Sequence, residues 1–305
     1  MIVFFTKYFF MNGAWLTMTN RPIKRRKKRK SKKPLLLIPA FAILAICIII
    51  TIKKNRENKI FPGIYYDADT YSLPETVSNS DDAMSNLSTT AHQNDDYQTV
   101  LDHRQDYPDV LMVMLSNNPD MLDYVLDYPT CRGEVYSDSI GDMTKGTFPL
   151  LLQYDKRWGY GMYGDDTIAI NGCGPTCVSM VVAGLTGRSD ITPYTVAKYA
   201  DENGYFQDGT SWSFFTTGVS EFGISGSELP LDESSMKSAL ESGHPIICSM
   251  AKGDFTTTGH LIVLTGVKNG KFIVNDPNSP IRSKLLWSYD RIEGQIKNLW
   301  EFEEG

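Results

Sequence analysis

The sequence predicts an α+β fold in which helices come first along the chain and antiparallel strands follow. Apolar residues at helical spacing indicate helices at residues 174–186, 193–203, 211–222 and 232–242. Short β-rich runs separated by turn residues then indicate strands at residues 245–250, 260–267 and 271–277. We expect the helices to pack on an antiparallel sheet in a compact domain over residues 147–305.

Local signals place the first elements of this domain. Residues 148–155 have the pattern of a strand or an extended entry segment, and residues 156–166 form a loop rich in glycine and aromatic residues. Pro175 suits the first turn of a helix, where its missing N–H leaves no bond unmade, and Gly187 suits the end of that helix.

The second half of the domain has equally clear boundaries. Gly243 closes the last of the four helices. The pair Asn269-Gly270 predicts a tight turn between two strands of a hairpin. Residues 287–296 then have the pattern of a further helix, and residues 299–303 that of a closing strand.

A shorter helical region precedes the domain at residues 96–130. Pro108 and Pro119 suit first helical turns, and Asn118 suits an N-cap. Two apolar stripes at i, i+1, i+4, i+5 predict a pair of short helices. Because such a pair is too small for a core of its own, we expect it to pack on the domain; a separate ligand-binding module is the alternative.

Residues 35–52 predict a transmembrane helix, because 18 consecutive residues carry no charge. Residues 1–34 precede it and contain ten Lys and Arg between Arg21 and Lys33. The positive-inside rule then places the N-terminus in the cytoplasm and the chain after about residue 60 outside. A cleaved signal peptide is the competing interpretation.

Two further segments flank this predicted helix. Residues 53–95, rich in Ser, Thr, Asp and Asn over most of their length, predict a flexible extracellular stalk. Residues 1–17 form an apolar patch interrupted by Lys7 and Asn12. A translation start at Met18 would remove this patch and leave a basic N-terminal region.

The charge is distributed very unevenly along the 305-residue chain, whose formal net charge is −6. Residues 60–305 carry 15 basic and 35 acidic side chains, a net charge of −20. A part of the chain with this charge is not expected to bind nucleic acid, since nucleic-acid binding depends on neutralising phosphates with Lys and Arg.

The five cysteines follow no disulfide or zinc spacing. Cys47 falls in the predicted transmembrane helix, and we expect Cys131, Cys177 and Cys248 to be small buried or partly buried apolar residues. Cys173 is different because it lies in Gly172-Cys173-Gly174-Pro175, at the predicted start of a helix. The positive end of a helix dipole stabilises a thiolate, the nucleophilic form of cysteine.

Of the four histidines, two precede the domain, at His92 and His103. His244 lies in a predicted turn, where a solvated side chain is the default. His260 instead opens a strand, and Gly259 beside it leaves room for a thiol or a substrate. His260 is therefore the candidate general base for Cys173.

A carboxylate follows at the end of the next predicted strand. On adjacent antiparallel strands Asp276 can lie beside His260, accept the second N–H of the imidazole and fix its tautomer. Asn275 is the alternative orienting residue, although strand alternation points it to the opposite face. An acyl-transfer site also needs donors for the developing oxyanion; the backbone N–H of Cys173 and the side chain of Gln153 are the candidates.

These motifs, in this order, resemble the peptidase C39-like family. This family groups relatives of bacteriocin-processing, double-glycine leader peptidases in the papain-like cysteine peptidase superfamily. The matching segments are 152–158, 172–176 with Met180 and 185–187, 259–267 and 275–277. The resemblance implies a papain-like fold, with Cys173 as nucleophile, His260 as base, Asp276 as orienting residue and Gln153 as the oxyanion-hole side chain. It implies no metal or cofactor.

Residues 123–129 also resemble a segment that precedes this domain in proteins of Gram-positive bacteria. Two features depart from the leader peptidases. The interval from Gln153 to Cys173 is longer than theirs, and the chain has no ATP-binding cassette or multi-span transporter. We therefore do not expect leader cleavage coupled to export.

The expected function is a membrane-anchored extracellular cysteine peptidase, a hydrolase of peptide bonds with the anchor at residues 35–52. The expected substrate is a peptide or protein, with a cell-wall peptide among the options. A peptidoglycan amidase or endopeptidase with the same thiol chemistry is one alternative. A catalytically silent module that binds wall or peptide is the other.

Overall fold

A seven-stranded sheet forms the centre of the computed structural model, which describes residues 63–305. The strands of this part of the chain are β1 (Tyr66–Asp67), β2 (Met162–Tyr163), β3 (Asp166–Thr167), β4 (Ile224–Glu228), β5 (Ile246–Met250), β6 (His260–Lys268), β7 (Lys271–Asn275), β8 (Leu285–Trp287) and β9 (Ile296–Glu304). The sheet has the order β1-β8-β7-β6-β5-β9-β4, and β2 and β3 form a separate two-stranded ribbon. Within the sheet β1 pairs parallel to β8, and the other neighbours are antiparallel.

Helices precede most of the strands, as the α+β prediction requires. They are α1 (Ser80–Ala91), α2 (Asp95–Asp102), α3 (Asp109–Asn117), α4 (Leu122–Cys131), α5 (Ile168–Asn171), α6 (Cys173–Thr186), α7 (Pro193–Glu202), α8 (Trp212–Thr216), α9 (Glu233–Ser242) and α10 (Tyr289–Ile292). Short 3-10 turns occupy Arg104–Asp106, Pro119–Met121, Gly218–Phe222, Arg282–Lys284 and Glu293–Gln295.

The sheet is covered by apolar side chains on both faces. Along β6, Leu261 and Val263 join the core that contains α6, whereas Ile262 and Leu264 join the core that contains α9. This is the period-two alternation of a strand. Because both faces are buried, β6 is nearly continuous in apolar residues.

The hairpin of β6 and β7 brings the start of one strand beside the end of the other. Asn269 and Gly270 both have positive φ, 54° and 79°, as the predicted tight turn requires. Val263, three residues after His260, pairs with Asn275, the residue before Asp276. The turn chemistry therefore sets the geometry of the candidate site.

Several elements differ from the sequence prediction. Residues 211–222 divide into α8 and a 3-10 turn. The expected helix at 287–296 is shortened to α10, a 3-10 turn and the start of β9. Residues 148–155 form no strand, and β4 was not anticipated. In each case tertiary packing overrides a weak local pattern.

Residues 63–95 also differ from the expected flexible stalk. Asp67 pairs with Leu286 of the sheet, and residues 80–91 form helix α1. Its N-cap Asn79 accepts a bond from the N–H of Asp82, and a stripe of small and apolar residues, Ala83, Leu87 and Ala91, is buried. The polar composition concealed this i, i+4 stripe, which packs in the same core as α3 and α4.

The expected helix pair at 96–130 is three helices, α2, α3 and α4, and it does pack on the following domain. Its core includes Tyr154, Tyr160 and Ala169 from beyond residue 150. The predicted transmembrane segment 35–52 lies outside the described residues. Among residues 63–305 we find no helix that is both long and apolar enough to cross a bilayer.

Candidate active site

Cys173 is the first residue of α6, which begins one residue before the predicted start at 174. The short helix α5 runs directly into it, and the N–H of Gly172 donates to the carbonyl of Ile168 at 2.8 Å. The Thr176 hydroxyl donates back to the Gly172 carbonyl at 2.7 Å. As the first helical residue, Cys173 presents a backbone N–H that has no acceptor within its own helix.

A glycine next to Cys173 lets another loop approach the start of the helix. A Cβ built on Gly174 would lie 2.3 Å from Oγ1 of Thr210 and 2.7 Å from its Cβ. The same Thr210 hydroxyl lies 2.8 Å from the hydroxyl of the buried Tyr163. The absence of a side chain at Gly174 is therefore a packing requirement of this site.

The imidazole of His260 lies between Cys173 and Asp276. Its Nε2 is 2.8 Å from Oδ1 of Asp276, and its ring also interacts with the Cys173 thiol. Since Nε2 is engaged by the carboxylate, Nδ1 is the nitrogen left to face the sulfur. The His260 side chain is only 8% exposed and that of Asp276 is fully buried.

Burial and charge act in opposite directions on these two groups. Burial lowers the pKa of His260, but the Asp276 carboxylate and the contact with Cys173 outweigh it and raise that pKa to about 9. Burial raises the pKa of Asp276, but Arg282 and His260 outweigh it and hold that pKa well below its usual range. An imidazolium and a carboxylate are therefore the stable pair at neutral pH.

Asp276 has further partners that fix its orientation. Its Oδ1 accepts a bond from the N–H of Asn278 at 2.8 Å, and its Oδ2 accepts one from Nε of Arg282 at 2.5 Å. Its own N–H donates to the Ser283 hydroxyl at 2.9 Å. Arg282 is not among the site residues that the sequence predicts; its one local signal is a cation six residues after the carboxylate.

Gln153 lies beside the same segment. Its backbone N–H donates to the carbonyl of Pro277 at 2.8 Å, and its Nε2 donates to the carbonyl of Ala169 at 2.6 Å. Ala169 lies in α5, four residues before Cys173. The amide Nε2 has a second hydrogen, so one N–H of Gln153 is not committed to Ala169.

Asn275, the alternative orienting residue, bonds the entry segment. Its Nδ2 donates to the carbonyls of Phe148 and Pro149, at 3.3 and 2.9 Å, and so ties the entry segment to β7. His244 lies in a turn, with Nδ1 3.8 Å from Glu301, as expected for a residue outside the site.

The other thiols in the described residues are structural. Cys177 and Cys248 are buried and Cys131 is partly buried, and none forms a disulfide. Burial raises the pKa of both Cys177 and Cys248. Cys177, one turn after Cys173, donates to the carbonyl of Leu261 at 3.4 Å and ties α6 to β6.

The aromatic residues before Cys173 belong to the core. The side chains of Tyr154, Trp158, Tyr160 and Tyr163 are all at most 5% exposed. Trp158 donates from Nε1 to the carbonyl of Leu152 at 2.9 Å. Trp158 and Tyr163 pack in the core that contains α6, and Tyr154 and Tyr160 pack in the core shared with α3 and α4. Residues 63–305 contain no group of three or more His, Cys, Asp or Glu side chains that could hold a metal ion.

A thiol at a helix start, an imidazole and a buried carboxylate therefore lie together on an α+β framework. The Peptidase_C39 like family matches residues 146–303, and the chain belongs to that family. No curated protein matches the chain.

One solved structure similar to part of the chain is the peptidase domain of Streptococcus ComA, a bi-functional ABC transporter involved in a quorum sensing pathway. The sequences are 19% identical, and the alignment covers 44% of this chain and 93% of that one with a TM-score of 0.34.

Proposed function

We propose that this protein is a cysteine peptidase that hydrolyses peptide bonds with Cys173 as nucleophile, His260 as acid and base, and Asp276 as the orienting carboxylate. The observation that carries the proposal is the position of His260, whose ring interacts with a thiol at a helix start and lies 2.8 Å from a buried carboxylate. Membership of the Peptidase_C39 like family supports the same chemistry.

The first chemical step is attack by the Cys173 thiolate on the carbonyl carbon of the scissile amide. A C–S bond forms, and the π electrons of the carbonyl move to oxygen. The His260 imidazolium, whose pKa of about 9 keeps it protonated at neutral pH, donates its proton to the leaving amine as the C–N bond breaks. The products are a free amine and a thioester on Cys173.

The second step is hydrolysis of the thioester. His260, now neutral, accepts a proton from water as the water oxygen attacks the thioester carbon. The C–S bond then breaks, and the Cys173 thiolate and the His260 imidazolium are restored. Asp276 holds the ring through Nε2 and keeps Nδ1 directed at the sulfur in both steps.

The developing oxyanion needs donors in both steps. The N–H of Cys173 is one, since it begins α6. The second N–H of the Gln153 amide is the other donor. The bond from the first N–H to the carbonyl of Ala169 fixes the position of this amide. In a measured protease, loss of one such donor costs about 3–4 kcal/mol of transition-state stabilisation.

The direct test is cleavage by the purified full-length chain, with Cys173→Ala as control. A denatured protein, a peptide library and purified sacculi are the three substrates. Peptide-bond cleavage that Cys173→Ala abolishes supports the proposal. Release of muropeptides without proteolysis would instead show a wall amidase or endopeptidase, and no cleavage of any substrate would favour a silent binding module.

We also propose that residues 35–52 anchor the peptidase in the membrane, with residues after about 60 outside the cell. Eighteen uncharged residues preceded by ten basic ones support this orientation. The test is fractionation of cells that express the full chain or a chain lacking residues 35–52. Membrane association of the first alone is expected; equal release of both into the soluble fraction would contradict the proposal.

A further inference from the structure

We infer that Arg282 is a positioning residue of this site, which acts on His260 through Asp276. Its Nε lies 2.5 Å from Oδ2 of Asp276, while Oδ1 of the same carboxylate lies 2.8 Å from Nε2 of His260. The carboxylate of Asp276 therefore bonds Arg282 through one oxygen and His260 through the other. This role rests on the proposed function.

The burial of the carboxylate makes its second oxygen important. Asp276 is fully buried and Arg282 is 13% exposed. A buried carboxylate needs charge-assisted partners to remain ionised, and each oxygen here has its own. Without Arg282, Oδ2 loses its cation and the carboxyl group can turn about its Cβ–Cγ bond. His260 then loses the fixed acceptor that orients its ring.

Arg282 is itself held in place by its backbone. Its N–H donates to the Ser279 hydroxyl at 3.2 Å, and its carbonyl accepts a bond from Nε1 of the fully buried Trp287 at 3.1 Å. The Ser283 hydroxyl bonds both the N–H of Asp276 and the carbonyl of Ser279. The segment 276–283 therefore closes on itself and fixes the carboxylate and the guanidinium together.

A second, more exposed Arg–Asp pair provides a control. Arg291 bonds Asp254 through Nε and NH2, both at 2.9 Å, and the two side chains are 24% and 23% exposed. This pair makes no contact with His260 or Asp276. Arg291→Met removes this partly buried ion pair, a bond to the carbonyl of Ala68 and a contact with the Trp287 ring, but no bond to the carboxylate of the site.

The first experiment compares peptide cleavage by Arg282→Met, Arg282→Lys and Arg291→Met at matched fractions of folded protein. We expect Arg282→Met to lower kcat by about 10²-fold, the effect of a misplaced reacting group, and to change KM little. Arg282→Lys restores part of kcat because it keeps the positive charge but not the planar guanidinium group. Arg291→Met keeps kcat. A fall in kcat/KM of Arg282→Met that comes only from a higher KM would overturn the inference. An equal fall of kcat in Arg291→Met would also overturn it.

The second experiment asks whether Arg282 acts through Asp276. If it does, Arg282→Met lowers kcat in the wild type but not in an Asp276→Asn background. Equal losses in both backgrounds would show an independent role and overturn the inference. Arg282→Lys serves in the same cycle if Arg282→Met does not fold.

The rate of Cys173 alkylation by iodoacetamide at pH 6 separates this inference from the proposed function, because it needs no substrate. Slower alkylation in Arg282→Met than in Arg291→Met supports the inference even if no peptide is cleaved, in which case the proposed function alone fails. Cleavage that depends on Cys173 but is indifferent to Arg282 leaves the function standing and overturns the inference.

Discussion

Nε2 of His260 lies 2.8 Å from Oδ1 of Asp276, and the carboxylate is fully excluded from solvent. Alone, burial of the imidazole would favour its neutral form. The carboxylate reverses this effect and raises the pKa of His260 to about 9. The pH range in which the proposed catalyst holds its proton therefore depends on this contact, together with the weaker one to Cys173.

Substitution of the carboxylate is expected to move the pH dependence of cleavage. In Asp276→Asn the burial of His260 is no longer offset by the carboxylate, so the pKa of His260 falls. The alkaline limb of kcat/KM, expected near pH 9 in the wild type, should move to lower pH. We also expect kcat to fall by about 10²–10⁴-fold.

The neighbouring Asn275→Ala is the control for this profile. It removes bonds to the carbonyls of Phe148 and Pro149 but none to His260. The alkaline limb should stay in place in this variant. An unchanged limb in Asp276→Asn would show that the carboxylate does not set the protonation of His260.

A methyl group at Gly174 is expected to disturb the start of α6. Its Cβ would meet Oγ1 and Cβ of Thr210 at 2.3 and 2.7 Å, and the second of these atoms cannot rotate away. Gly174→Ala should lower the free energy of unfolding by about 1–3 kcal/mol, as overpacking does. Urea denaturation of the two proteins measures the difference.

Gly259→Ala is the matched control, since a Cβ there meets no atom within 4 Å. Its free energy of unfolding should stay within about 0.5 kcal/mol of the wild type. Equal stability of Gly174→Ala and Gly259→Ala would contradict the packing described at Thr210. A lower kcat/KM in Gly259→Ala, at unchanged stability, would place the substrate beside His260.

The helices before the family domain are expected to unfold together with it. The ring of Tyr124 stacks on Tyr160 with centroids 4.4 Å apart, and its hydroxyl bonds the carbonyl of Gly159 and lies 3.0 Å from Oγ1 of Thr167. Tyr124→Phe should cost about 1 kcal/mol for each bond lost. Circular dichroism and loss of peptidase activity in urea should show one coincident, shifted transition. Two transitions, with only one shifted, would indicate an independent helical domain.

The sequence predicted the parts of the site that depend on local signals. Proline and glycine marked the ends of α6 and so the position of Cys173, and Asn269-Gly270 marked the hairpin that brings His260 towards Asp276. These signals work because they act through backbone conformation within a few residues.

Features that depend on contacts distant in sequence could not be predicted in the same way. The polar composition near position 77 gave no sign that this segment is bonded to α3. The N–H of Val77 donates to the side chain of Asn117, and the same side chain donates to the carbonyl of Val77. The role of Arg282 depends on a 3-10 turn that has no periodic pattern. Similarly, nothing near Gln153 in the sequence indicates its bond to Ala169.

The central claim, that His260 and Cys173 form a reactive pair, is tested most directly by the rate of thiol alkylation. In a Cys131→Ser background, iodoacetamide should modify Cys173 rapidly at pH 6, and Cys177 and Cys248, which are buried and have raised pKa values, should remain unmodified. His260→Ala should abolish the rapid reaction. Alkylation of Cys173 that is as slow as that of Cys248, or that is unaffected by His260→Ala, would contradict the account.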